Sequence, residues 1–228
     1  MGDLEDQHKI FLQSLMWKKI CDYDEVKTLY QKCHDKVNVE PGDLSTFINK
    51  INENLKPLQM AIQKGVDELT GKSYYMLINR NNNNISRLFP QNKVQELEVF
   101  KRIIASIVKS EDGKISSTDA LNLQMDMKIM KKEINEILLM FKRDGWLYEE
   151  EGYYFFSTRA ITELQPFFRE NYPDDISSCY MCKNIIFQGS SCESCNIKLH
   201  NYCKKSYFLR STSKPNACPA CLQNYDAA

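Results

Sequence analysis

The carboxy-terminal part of the chain carries an ordered series of cysteines and one histidine, the side chains that bind zinc in proteins. The series forms four short-spaced pairs: Cys179 and Cys182, Cys192 and Cys195, His200 and Cys203, and Cys218 and Cys221. A short gap lets one tight turn direct two ligands at the same ion. Eight ligands fill two tetrahedral shells and leave no open position for a reactive water, so the pattern predicts two structural zinc ions.

Two pairings of these ligands are compatible with their order. In the interleaved cross-brace, Cys179, Cys182, His200 and Cys203 bind one ion, and Cys192, Cys195, Cys218 and Cys221 bind the other. Sequential pairing would instead give two independent zinc ribbons. We adopt the cross-brace as the prediction. In either case the segment is too small for burial alone to hold it, so metal binding supplies most of its folding free energy.

The composition of the whole chain limits its function class. Thirty basic and thirty acidic side chains give 228 residues a formal charge of zero, which argues against a uniformly basic nucleic-acid-binding protein. A hydrophobic content of 43% is sufficient for packed cores. The polar, acidic start has no signal-peptide pattern and no apolar run is long enough to span a membrane, so we expect a soluble, intracellular protein without a membrane partner. In a reducing compartment, dense cysteines indicate metal rather than disulfides.

The elements that precede the cysteine series read as two copies of one plan. Apolar residues at helical spacing predict helices over residues 4–20, 24–34 and 43–56, followed by strands over 58–66 and 73–78. Three helices and a hairpin constitute the winged-helix plan. Cys21, Cys33 and His34 lie here without a fourth ligand, so we interpret them as ordinary packed residues.

The second copy has the clearer signal. Helices are predicted over residues 94–108, 118–123 (capped by Ser117) and 128–143, then a hairpin in the segment DGWLYEEEGYYFF, and a last helix over 158–168 capped by Thr158. The predicted fold class is α+β: two tandem winged-helix domains, then a small cross-brace finger with two zinc ions. The predicted domains are residues 1–84, 85–171 and 179–228, with a linker over 172–178.

Few side chains outside the finger suggest chemistry. Three histidines, one of them a predicted zinc ligand, are too few for a hydrolase triad, so we expect no catalytic residue. Lys128, Lys131 and Lys132 face DNA phosphates in one interpretation. In the other, which interrupting acidic residues favour, they belong to a solvated mixed-charge face.

The order of four cysteines, one histidine and three cysteines resembles RING-variant and PHD fingers. Asn216 stands where a PHD finger usually has tryptophan, and Pro219 inside the last pair is typical of RING fingers. Joined to tandem winged helices, the finger makes nearly the whole chain similar to the RING-bearing first non-SMC element of the SMC five-six genome-maintenance complex.

That resemblance implies a nuclear, chromosome-associated subunit that pairs with a MAGE-domain subunit and a kleisin subunit. It implies a RING-type ubiquitin ligase that acts in repair of DNA double-strand breaks by recombination. Such a finger has no nucleophile and works by positioning a ubiquitin-charged conjugating enzyme. The alternative is a non-catalytic adaptor whose finger and winged helices mediate complex assembly and DNA association.

The resemblance also assigns surfaces to particular residues. The conjugating-enzyme surface would consist of Tyr180, Met181, Ile185, Ile186 and Pro219, unless the isoleucines fill the core of the finger. Many active RING fingers have a basic residue just after the last cysteine, whereas Leu222 and Gln223 follow it here, which fits dependence on a partner. The MAGE-binding surface would consist of Leu4, Ile10, Leu15, Met16 and Trp17, unless these side chains close the first core.

Overall fold

The computed structural model describes residues 3–80, 85, 93–123, 129–210 and 216–225. The first module contains α1 (Asp6–Lys18), β1 (Ile20–Asp22), α2 (Tyr23–Val37), α3 (Leu44–Leu55), β2 (Met60–Val66) and β3 (Ser73–Asn79). Its three strands form an antiparallel sheet in the order β1-β3-β2. Asp22 caps α2 and Asp43 caps α3 by accepting backbone N–H bonds. The sequence prediction missed β1, a strand of three residues.

The second module repeats this order of elements. It contains α4 (Val94–Lys109), β4 (Ile115–Ser116), α5 (Ser117–Asn122), α6 (Lys131–Arg143), β5 (Leu147–Glu150), β6 (Tyr153–Phe156) and α7 (Thr158–Asn171). Its sheet order, β4-β6-β5, matches that of the first module. The predicted α+β class is therefore confirmed, and both modules follow the helix and strand order that the winged-helix plan requires.

Three predicted helix starts in the second module are wrong by one to three residues. Ser116 rather than Ser117 caps α5, and Ser157 rather than Thr158 caps α7. In each case the capping serine has extended backbone, as an N-cap must, while the residue after it is already helical. Helix α6 begins at Lys131 rather than at position 128, which lies outside the described residues.

The two modules contact each other through the last helix and through an ion pair at the end of α6. Helix α7 packs on β2 and β3 of the first module, where a Cβ atom added to Gly65 would lie 2.4 Å from Thr162 Oγ1. The backbone N–H of Asn79 donates to Glu163 on α7 at 3.3 Å, and Lys19 pairs with Asp144 at 3.0 Å. We call these two modules together the body.

The carboxy-terminal segment forms a small finger. It contains β7 (Ser177–Ser178), β8 (Ile185–Ile186), β9 (Ser190–Ser191), β10 (Lys198–Leu199) and α8 (Asn201–Arg210). Strand β7 pairs with β8, and β9 pairs with β10. Strand β7 falls within the range predicted as a linker, and α8 was not anticipated. Among the helices of the described residues, none has the length and apolar character needed to cross a membrane.

Candidate metal centres

The turns and helix of the finger gather the eight predicted ligands into two groups. Within each group, the potential ligand atoms all lie within 4.8 Å of one another. The first group contains Cys179, Cys182, His200 and Cys203, and the second contains Cys192, Cys195, Cys218 and Cys221. The first ligand pair therefore joins the third and the second joins the fourth. This is the interleaved cross-brace, and sequential pairing is ruled out for this structure.

Neighbouring ligand atoms within each group lie 3.4 to 4.0 Å apart. In the first, the Sγ atom of Cys182 lies 3.4 Å from Nδ1 of His200, and that of Cys203 lies 4.0 Å from it. In the second, the sulfur-to-sulfur distances are 3.8 Å for Cys192 and Cys221 and 3.6 Å for Cys195 and Cys218. Each group therefore surrounds a space the size of a single ion.

One backbone device builds three of the four ligand turns. The residue after the second cysteine of a pair has positive φ: Lys183 at 62°, Asn196 at 57° and Leu222 at 61°. Its backbone N–H donates to the carbonyl of the first cysteine of that pair, at 2.7 to 3.0 Å. The tight turn holds both sulfurs on one side. Leu222 occupies this position in the last turn, and 61% of its surface is exposed.

One thiol in each group has a lowered pKa. Burial would raise the pKa of Cys179, but backbone N–H groups of Cys182, His200 and Met181 outweigh it and lower the pKa to about 7. The same balance, with N–H groups of Ser194 and Cys195, lowers the pKa of Cys192 to about 7.

Other thiols in these groups shift the opposite way. Burial, assisted by the neighbouring Cys179 and Cys182, raises the pKa of Cys203 to about 12. Full ionisation of all the sulfurs in one group therefore requires a cation between them.

His200 connects the first group to the body. It is almost completely buried, and its Nε2 lies 3.1 Å from Oε1 of Glu68, in the turn between β2 and β3. Burial disfavours the imidazolium, but the Glu68 carboxylate outweighs this effect and raises the pKa of His200 to about 9. Sequence reasoning missed Glu68 because it lies 132 positions from the histidine, in a turn without a motif.

Cys21 and Cys33 do not belong to either group. Both are buried in the first module, where burial raises the pKa of each thiol. Within the part of the chain that the structure describes, the two finger groups are the only clusters of three or more potential metal ligands.

The predicted conjugating-enzyme surface is only partly exposed. Tyr180 and Met181 are exposed by 39% and 43%, and Pro219 is half-buried. Ile185 and Ile186 are buried, and Ile185 belongs to the hydrophobic core of the second module. The assignment of both isoleucines to a surface is therefore corrected: they form the short strand β8, and Ile185 packs the finger against the body.

The predicted partner-binding residues divide in the same way. Leu15 is fully buried between the helices of the first module, so its surface assignment is also corrected. Leu4 and Ile10 are half-buried and pack against the same core. Met16 and Trp17 are exposed by 57% and 83%, because the end of α1 turns them away from that core.

Of the three lysines considered for DNA, two lie in the described chain. Lys131 and Lys132 are exposed in the first turn of α6. Glu133 on the same turn accepts the backbone N–H of Met130 at 2.9 Å and places a negative charge beside them. The local surface is therefore of mixed charge, and Lys128 lies outside the described residues.

Comparison with known proteins identifies two matched regions. Residues 8–164 match the family described as the Nse1 non-SMC component of the SMC5-6 complex. Residues 179–221 match the RING-like domain. The two matches cover most of the body and all eight clustered ligands of the finger.

Whole-chain relatives agree with these regions. The chain is 38% identical to the non-structural maintenance of chromosomes element 1 homolog of Rattus norvegicus, over 96% of this chain and 84% of the relative. It is 28% identical to non-structural maintenance of chromosomes element 1 of Schizosaccharomyces pombe, over 89% and 87%. A solved structure of an Nse1-Nse3-Nse4 complex contains a chain that matches with a TM-score of 0.87 and 32% identity, over 100% of both chains.

Proposed function

The chain belongs to the Nse1 family of non-SMC components of the SMC5-6 complex, and we propose that it is a RING-type ubiquitin ligase subunit of that complex. The observation that carries the proposal is the pair of interleaved ligand groups with Tyr180 and Met181 exposed between two ligands of the first group. RING fingers present such apolar side chains on a metal-binding loop to a conjugating enzyme.

We further propose that both groups bind zinc. A tetrahedral ion with zinc–sulfur bonds of about 2.3 Å separates its sulfurs by about 3.8 Å, and a sulfur from an imidazole nitrogen by about 3.6 Å. The separations of 3.6 and 3.8 Å between sulfurs, and of 3.4 and 4.0 Å between sulfur and Nδ1, lie around these values. Four protein ligands complete each shell, so the metal would hold the finger in shape and take no part in bond making.

The proposed ligase acts by positioning. A charged conjugating enzyme docked on Tyr180 and Met181 would be held in a conformation that favours attack by a substrate lysine. With Ile185 and Ile186 buried, the exposed apolar surface on the first loop is small. We therefore expect weak activity from the chain alone and stronger activity when partner subunits extend the surface.

The partners proposed are a MAGE-domain subunit and a kleisin subunit. The matching solved structure supports this, because it is a complex of Nse1 with Nse3 and Nse4. Met16 and Trp17 offer the exposed apolar surface of α1 to the MAGE-domain subunit. With them the chain would act in the nucleus, on chromosomes, in repair of double-strand breaks by recombination.

The test is reconstituted ubiquitination by the full chain, with and without both partner subunits. We expect ubiquitin chains that increase when the partners are added, and no activity from His200→Ala, which removes a metal ligand. Met181→Ala should slow transfer about tenfold, the effect of losing about 1.4 kcal/mol of conjugating-enzyme binding, with the fold intact. Leu58→Ala removes a leucine that is exposed by 66% in the first module and serves as the matched control.

The partner surface is tested in the same experiment. Trp17→Ala should abolish the increase that the partners produce and leave the activity of the chain alone unchanged. Equal stimulation of Trp17→Ala and the unaltered chain would remove α1 from the proposed interface.

A second function, a non-catalytic adaptor, is favoured by the packing of Ile185 and Phe187 in the core of the second module, since this part of the finger then serves to attach it to the body. In this function Lys131 and Lys132 would contact DNA phosphates. Normal assembly without ubiquitin transfer by any conjugating enzyme would support the adaptor over the ligase. Charge reversal of both lysines should then weaken salt-sensitive DNA binding.

A further inference from the structure

Glu68, in the turn that joins β2 to β3, is buried to an unusual extent for a charged residue. Only 5% of its surface is exposed, although charged side chains on hairpin turns are normally solvated. The turn itself is fixed by Asp67, whose carboxylate accepts the backbone N–H and the hydroxyl of Thr70 at 2.8 and 2.7 Å. These hydrogen bonds define the turn from which the Glu68 side chain reaches the finger.

The carboxylate of Glu68 is satisfied by the finger. The backbone N–H of Phe187 donates to Oε1 at 3.0 Å, and that of Gln188 donates to Oε2 at 2.9 Å. The third partner is Nε2 of His200, 3.1 Å from Oε1, which donates when the ring carries its proton on that nitrogen. Among the ion pairs of the described residues, none joins Glu68 to a lysine or arginine. The negative charge of Glu68 is therefore balanced by hydrogen-bonding groups of the finger, one of which is the ring of the metal ligand His200.

The two nitrogens of the His200 ring face different partners. Nδ1 lies among the sulfurs of the first group, 3.4 Å from Cys182, while Nε2 faces Glu68 and the carbonyl of Ile185. A histidine that binds a metal through Nδ1 carries its proton on Nε2, and a carboxylate that accepts this proton fixes the ring and makes it a stronger ligand. The ring of Tyr202 stacks on a face of the His200 ring, with centroids 5.1 Å apart.

The same short segment of the finger also contacts the second module. Phe187 packs against Phe156 and Phe168, with ring centroids 5.0 and 5.2 Å away. The side-chain amide of Gln188 donates to the carbonyls of Asp112 and Gly113 at 2.6 and 3.0 Å. The segment that Glu68 holds is therefore the point where the finger meets both modules.

We propose that Glu68 is a positioning residue for the first metal site: it orients His200 from outside the finger, so that metal binding and docking of the finger on the body stabilise each other. The coupling is reciprocal, because any group that favours the docked finger also favours the metal, and the converse. The second metal site has only cysteine ligands and no such contact with Glu68. It therefore provides an internal control. The proposal for Glu68 requires the metals but not the ligase activity. It can therefore fail while the proposed ligase function holds, and the converse.

The experiment measures the metal affinity of each site in the full chain. Resonances of bound ¹¹³Cd distinguish a site with three sulfurs and one nitrogen from a site with four sulfurs, and competition with a chelator gives the affinity of each. For Glu68→Ala we expect the first site to weaken about 10- to 100-fold, as for other outer-sphere partners of metal-binding histidines. The second site should change less than about twofold.

Two further variants separate orientation of the histidine from docking in general. Glu68→Gln keeps an oxygen that accepts from His200, so it should recover part of the affinity lost in Glu68→Ala. Gln188→Ala removes a contact with the second module but none with the histidine, so it should weaken the first site only through docking and by clearly less than Glu68→Ala. Glu40→Ala, at an exposed carboxylate of the first module, is the matched control.

The proposal is overturned by any of three results. These are an unchanged first site in Glu68→Ala, equal weakening of both sites, or a loss in Gln188→Ala as large as that in Glu68→Ala. If Glu68→Ala fails to fold, Glu68→Gln decides, because its near-identical shape preserves the turn. Selective weakening of the first site in that variant supports the proposal, and no weakening contradicts it.

Discussion

The body and the finger are stabilised by different means. The core of the second module consists of apolar side chains contributed by helices and strands, such as Phe100, Leu138 and Phe141. The buried core of the finger consists of Cys179, Cys192 and Cys218 with Leu199 and Tyr225, so most of its members are predicted metal ligands. A body of this kind folds by removing apolar surface from water, whereas the finger needs an ion between its sulfurs.

The boundary between these two regions is less sharp than the two cores indicate. Ile185 lies in the finger by sequence but is buried in the core of the second module, and Phe187 packs beside it. Glu68 belongs to the first module but takes its hydrogen-bond donors from the finger. The comparison therefore teaches that the metal determines the inside of the finger, while the body determines where the finger is held.

The largest expected effect comes from removing the metal. Excess chelator should cost the finger a stabilisation of roughly 10–16 kcal/mol per structural zinc, far more than its small apolar core supplies. Hydrogen exchange should then show loss of amide protection across β7 to α8, with α1 to α7 still protected. Added zinc should restore the protection. A finger that keeps its protection without metal, or a body that unfolds with it, would remove the distinction between the two regions.

Sequence reasoning predicted the metal ligands and the order of the modules because both patterns are local. The spacing of a cysteine pair predicts the turn that contains it. In the same way, the helical spacing of apolar residues predicts the buried face of α4, formed by Phe100, Ile103, Ile104 and Ile107. The one-residue errors at Ser116 and Ser157 arise where two successive hydroxyl residues both offer a cap.

The contacts between regions were not predictable in this way. Glu68 has no local pattern that indicates His200, and the apolar character of Ile185 and Ile186 fits a docking surface for a partner as well as a buried contact. The same ambiguity placed Leu15 on a surface. An apolar residue indicates that its side chain is buried, but only the folded structure shows whether it is buried by the same chain or by a partner protein.

A smaller effect is expected from truncating the contact at the boundary. Ile185→Ala removes a side chain that is 1% exposed from the shared core and should destabilise the chain by about 2–5 kcal/mol. Because Ile185 packs in the second module, chemical denaturation of the body should report the loss. Leu222→Ala, at an exposed leucine of the finger, should change stability by no more than about 0.5 kcal/mol. If both variants are equally stable, Ile185 does not contribute to the core of the second module.

The smallest effect tests whether the backbone of the body is shaped to receive the finger. Gly113 has a φ of 61°, and a Cβ atom there would lie 2.5 Å from the carbonyl oxygen of Phe187. Gly113→Ala should cost about 1–2 kcal/mol for the left-handed backbone alone, and relief of the clash requires the finger to shift. Gly42→Ala is the matched control, since its Cβ would meet nothing within 4 Å and its φ is not positive.

The two components of the Gly113→Ala effect are separable by measurement. Backbone strain acts on the body whether the finger is docked or not, whereas the clash with Phe187 disappears once the finger is released. Thermal unfolding with and without chelator should therefore show a larger penalty for Gly113→Ala when metal is present. An identical penalty in both conditions would mean that Gly113 serves only its own turn, and that the second module accepts the finger without a backbone shaped for it.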